Sequence, residues 1–137
     1  MSLQAAIRSI LSADTDVAAM VGDRIRPDQL NESDTLPAII VELESRDGLE
    51  TLDDTTGPES DCSFVVVCLG STRSSASDLE QLVRTALDGY RGTANGFTFR
   101  PISYVSTDYD HEPSEDGGQA DAWFSNEAQF DAFVDEL

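Results

Sequence analysis

Two adjoining stretches decide the fold: "CSFVVVCLG" (residues 62–70) and "STRSSASDLEQLVRTALDGY" (residues 71–90). In the first, apolar side chains fall on odd and even positions alike. An extended chain of that kind buries both faces, so it reads as a central strand. In the second, Leu79, Leu82, Val83, Ala86 and Leu87 recur at helical spacing and form one apolar stripe. Ser77 and Glu80 stand at capping-box spacing, which predicts a helix start near Ser77. Gly89 supplies the stop, because glycine tolerates the left-handed backbone that ends a helix. A strand feeding a helix that halts sharply implies that the chain turns back to add another strand.

Upstream, Leu3, Ala6, Ile7, Ile10 and Leu11 make a second apolar stripe, with Ser2 as its cap. Asp14, Thr15 or Asp16 can cap a short helix through Met20, closed by Gly22. After a polar connector, Pro37 opens "AIIVELES". Ile39, Val41 and Leu43 alternate there with Ile40, Glu42 and Glu44, as in a strand with one mainly buried face. The acidic segment "RDGLETLDDTTGPESD" (46–61) reads as a long mobile loop joining this strand to the central one.

Downstream, "FTFRPISYVSTDY" (97–109) alternates as a strand, with Pro101 marking an edge or a bulge. "DHEPSEDGGQAD" (110–121) reads as a second polar, mobile turn. Residues 122–134 fit two patterns. Ala122, Phe124, Ala128, Phe130, Ala132 and Val134 suit a strand, while Trp123, Phe130, Phe133 and Leu137 suit a helix; the strand is favoured because more positions match. The order is then α-α-β-β-α-β-β. This is a single α+β domain over 1–137: a small antiparallel sheet with helices packed on one face.

The 137 residues hold 27 acids against eight basic residues, a net charge of −19, and every basic residue is arginine. Such a balance argues against a basic phosphate-binding surface. It leaves three readings: a solvated surface, an acidic face that repels nucleic acid, or adaptation to concentrated salt. The absence of lysine beside abundant aspartate favours the last. No apolar run reaches the ~20 residues of a membrane helix, and the start lacks a basic leader. A soluble protein made in the cytoplasm is expected.

Chemistry is sparse. Cys62 and Cys68, on one face of a strand, lie ~20 Å apart, beyond the ~7 Å reach of a disulfide; they read as small buried apolar groups. The one histidine, His111, lies among Asp108, Asp110, Glu112, Glu115 and Asp116. That cluster reads as a solvated turn, with weak calcium or magnesium binding as the alternative. No nucleophile elbow, phosphate loop or Cys/His metal spacing occurs. No catalytic residue, metal ligand or cofactor is expected. An acidic cation-binding module and a small metal-dependent enzyme centred on His111 are the competing classes.

The segments "LQAAIRSILSADTDVAAMVGDRIRP", "LPAIIVELES" and "CSFVVVCLGSTRSSASDLEQLVRTALDGYRGT", in that order, resemble the tail-completion or tail-terminator proteins of long-tailed phages and related archaeal viruses. The resemblance runs over nearly the whole chain and departs most at "FSNEAQFDAFVDEL", where such proteins often carry more basic residues. It implies a virion protein assembled in the host cytoplasm as a homohexameric ring. That ring would stop the tail tube, meet the tail tube protein on one side and a head-completion or neck protein on the other, and let DNA pass without specific binding. No membrane partner is implied. A head-closure or other neck protein is the related alternative. On this reading the corner "LDGYRGT" is scaffold, and Arg91 is an exposed turn residue or a partner for a neighbouring subunit's acid.

Overall fold

A computed structural model describes residues 2–31, 33–50, 56–112 and 123–136. The elements run α1 (Leu3–Ala13), α2 (Thr15–Val21), β1 (Ile25–Pro27), β2 (Ala38–Glu50), β3 (Thr56–Gly70), α3 (Arg73–Leu87), β4 (Gly92–Ala94), β5 (Phe97–Phe99), β6 (Ser103–Glu112) and β7 (Trp123–Glu136). The fold is α+β, a mostly antiparallel sheet with three helices.

β3 lies between β2 and β7, as its two-sided apolar pattern requires. Val66 faces Val41 on one side and Ala128 on the other. β7 is a strand, and its far edge is shared by two neighbours. β5 pairs with it at Val134–Glu136, and β6 pairs with it from Trp123 to Asp131. The span 97–109 is thus two strands rather than one. Pro101, which has no N–H to give a ladder, lies in the break between them.

The caps follow the side chains. Ser2 accepts a hydrogen bond from the Ala5 N–H, and Asp14 from those of Asp16 and Val17. α3 begins earlier than the capping-box spacing predicts. Thr72 is its cap, accepting from the Ser75 N–H at 3.0 Å. Ser77 instead sits inside the helix and accepts from Asn126 Nδ2. Glu80 turns inward, 3 % exposed, and forms an ion pair with Arg84. Gly70 explains why the strand can pass so close to the helix: a Cβ there would come within 2.6 Å of the Ala76 nitrogen. At the other end Gly89 has φ +80°, and its N–H bonds to the Ile102 carbonyl at 2.7 Å. The stop ties helix to sheet, which is the reversal that the sequence demanded.

One large core forms between the helices and the sheet. Leu3, Ile7 and Leu11 from α1, and Leu79, Val83 and Leu87 from α3, meet Phe64, Val66 and Cys68 of β3 and Phe130 of β7. Phe64 and Phe130 stack at 5.5 Å, and Tyr104 meets Phe130 edge-on. Both cysteines are buried and free. Burial pushes the Cys62 thiol up to about 11 and that of Cys68 higher still, so neither ionises near neutral pH.

Two expectations change along this hairpin. The span 46–61 is not all loop: β2 runs to Glu50 and β3 starts at Thr56, so the hairpin is a long arm and only 51–55 lie outside the described residues. Leu43, expected inside with Ile39 and Val41, is 41 % exposed beside a register shift between Leu43 and Ser45.

Candidate assembly interface

The polar segment expected as a turn at 110–121 is partly strand. Asp110, His111 and Glu112 belong to β6, opposite Ser125, Phe124 and Trp123 of β7. His111 is exposed and stacks on Phe124 at 5.6 Å. Glu115 and Asp116, with the rest of 113–122, lie outside the described residues. Among the described residues, no three His, Cys, Asp or Glu side chains gather as a metal would need. The strand places Asp108, Asp110 and Glu112 at alternating positions along an edge instead of folding them round a point.

Arg73 does more than the sequence showed. Its guanidinium donates to the Ser125 carbonyl, to Asn126 Oδ1 and to the Asp110 carbonyl. It also lies over the rings of Tyr109 and Phe124 at 5.5 and 5.2 Å. One side chain at the start of α3 thus fastens both β6 and β7. Its signal in the sequence was only a lone cation in a serine-rich run.

Two kinds of surface are left for scrutiny among the described residues. The first is strand edge. β1 covers β2 only at Ile39–Val41; among the described residues no strand pairs with that edge beyond Val41. The second is the sheet face turned away from the helices. Val65, Val67 and Leu69 of β3 form a separate apolar cluster there with Leu30, Leu36, Ile40 and Trp123. All of these but Val65 line a groove of about 390 Å³ bordered by Asp28, Glu42, Asp110 and Glu127. Burial, then the nearby charges of Glu42, Asp110 and Asp108, hold the Glu127 carboxyl above the usual carboxylate range.

The wall of that groove is braced. Arg26 grips Asp34 through two nitrogen–oxygen contacts of 3.0 Å, and Asp34 also accepts the Asn31 N–H. These bonds, with that of Arg26 foremost, hold the Asp34 carboxyl below its ordinary range. The connector carrying Leu30 and Leu36 is therefore pinned at both ends of its turn. Arg91, in the corner after α3, is exposed. Among the described residues no helix is long and apolar enough to cross a membrane.

The described residues thus leave a strand edge open beyond Val41 and a groove on the sheet face away from the helices. The comparisons give the class. Residues 5–134 match the family model described as "Tail completion protein gp17". The chain belongs to that family, and is a virion tail protein by membership. Among solved structures it is similar to a chain of the "Virion of native gene transfer agent (GTA) particle", with 22 % identity over 98 % of this chain and 95 % of that one, at a TM-score of 0.67. A second solved chain, with no functional description, is 14 % identical over all of this chain and 98 % of its own, with a TM-score of 0.56. At these identities the two structures speak for the fold. No curated protein matches.

Proposed function

We propose that this chain is a tail terminator subunit. Six copies close into a ring on the end of the tail tube, halt its growth, and offer the opposite surface to a neck or head-completion protein. DNA passes through the lumen without specific contacts. The observation that carries this reading is the family match over 5–134. The uncovered edge of β2 adds to it, because a ring needs a head-to-tail contact that closes, and an unpaired edge offers one. The role is structural, and the acids line surfaces that phosphates do not stick to.

Charge sets the conditions of assembly. Each subunit carries −19, so six carry −114. At ~1 M salt, screening acts over ~3 Å and most of that repulsion vanishes. We therefore place the protein in a salt-rich host, monomeric in dilute buffer and hexameric in molar salt. Light scattering across a salt series checks this; a ring equally stable at both extremes removes the halophilic part.

The test of function is deletion of the gene from its virus, followed by electron microscopy of the lysate. Overlong, headless tails are expected. Tails of normal length that fail to join heads would make the protein a head-closure or neck component instead.

A further inference from the structure

We propose that the groove on the open sheet face is a docking slot for one extended segment of a different protein, in which arginine or lysine flanks aliphatic or aromatic side chains. The slot runs across four strands. Ile40 of β2 stands beside Val67 of β3, which stands beside Glu127 of β7, which stands beside Asp108 of β6. The neighbouring row sets Leu69 beside Ser125 and Asp110. Each row therefore begins apolar and ends in carboxylate. Glu42 and Asp28 close the opposite rim. A ligand that lays apolar groups on the floor and cations on both rims satisfies every part of this lining.

Charge excludes the nearer occupants. Residues 113–122, which follow β6, carry Glu115, Asp116 and Asp121 and no large apolar side chain, so the rim repels them and the floor gains nothing. A second copy of the chain is a poor donor. It has no lysine, and Arg24, Arg26, Arg46, Arg73, Arg84 and Arg100 are already engaged within the chain. That leaves Arg8 on α1 and Arg91 in the corner after α3, which lie on separate elements and do not make two cations of one extended segment. A segment with a cation for each rim is better supplied by another protein. Burial and the charges of Glu42, Asp110 and Asp108 also raise the Glu127 carboxyl, and a guanidinium or ammonium seated between the rims would relieve that.

This rests on the assembly reading for the source of the partner, but its test does not. Trp123, the chain's single tryptophan, lines the groove and reports on it. The probe is a synthetic hexapeptide alternating arginine with leucine, titrated against the full chain while Trp123 emission is followed. A saturable blue shift is expected, absent with the glutamate–leucine peptide and weak with the arginine–serine one. Glu42→Gln with Glu127→Gln should weaken binding about tenfold, the scale of losing two charge pairs at a partly dry rim, and flatten its salt dependence. Val67→Asp should abolish the shift; should that variant fail to fold, the rim pair still decides. Equal binding of the glutamate and arginine peptides, equal binding of the serine peptide, or no binding at all would overturn the proposal. So would a blue shift that grows with protein concentration alone, which would make a second copy the occupant. None of these results bears on whether six subunits close a ring, so slot and ring fail separately.

Discussion

The two faces of β3 are built from nearly the same side chains and have different fates. Phe64, Val66 and Cys68 face the helices and are sealed in a core that draws on most of the chain's elements. Val65, Val67 and Leu69, one residue out of step, face the other way into a cluster of seven residues edged by carboxylates. The strand is buried on both faces, as its pattern reads, but under unequal covers: helices on one side, and on the other only Leu30, Leu36, Ile40 and Trp123 around a groove. The thinner cover is where contact with other chains is to be sought.

The largest effect should come from cutting into the sealed face. Phe130→Ala removes the ring that stacks on Phe64 and meets Tyr104, and should cost about 3–5 kcal/mol in urea unfolding. Val67→Ala, on the open face, should cost only about 1–1.5 kcal/mol, the transfer value of the lost methyls without a new cavity. Equal losses at the two positions would erase the distinction between the faces.

A smaller loss tests the charge that the sealed face admits. Glu80 is a charged side chain buried on the helix side of the sheet, and Arg84, 42 % exposed, is its ion-pair partner. Arg84→Ala would strand the carboxylate and should cost about 2 kcal/mol by thermal unfolding. Arg84→Met tests whether packing over Tyr104 can stand in for the pair. Smaller again is Gly89→Val. No atom lies within 4 Å of the missing Cβ, so the penalty is the left-handed backbone alone, about 1–2 kcal/mol. An unchanged melting midpoint would show that the corner relaxes out of that conformation.

The smallest effect has the opposite sign and belongs to the open face. Glu127 binds its proton more tightly in the folded state than an ordinary carboxylate does. Its ionisation therefore opposes folding above that raised value, and the opposition disappears as pH falls to the usual carboxylate range. Glu127→Gln should raise the melting midpoint slightly at pH 7 and leave it unchanged near pH 3. A gain that persists in acid would point to packing, not charge.

How much of this the sequence disclosed depends on how local the cause was. Helices α1 and α2, their caps and the Gly89 stop are set by side chains a few residues apart, and those were legible. So was β7, where the alternation from Phe124 to Val134 outweighed the helical pattern. The start of α3 was misread because Thr72 and Ser77 lie in one serine-rich run, and Glu80, which completed the capping-box spacing, is engaged with Arg84 instead. The arm at 46–61 looked like loop because residues such as Asp47, Ser60 and Asp61 are polar on a ladder that needs only backbone. β1, β4 and β5 have three residues each, too few for any periodicity to show. The groove was invisible for another reason: its lining comes from β2, β3, β6, β7 and a connector. One hint was available. The apolar stripes of the helices suffice for one sheet face, whereas "FVVVCL" supplies apolar residues to two.

β7 joins everything on its two edges, β3 on one side and both β5 and β6 on the other. It is also translated after all of them. During synthesis the ladder edge of β3 waits for roughly fifty residues to be added, which takes about 3–10 s at 5–20 residues per second. Throughout that interval the nascent chain carries an unpaired, hydrophobic strand edge, the usual template for aggregation. A ribosome stalled before Trp123 would release a sticky fragment, not a truncated subunit, so production of this protein depends on how quickly its last strand arrives.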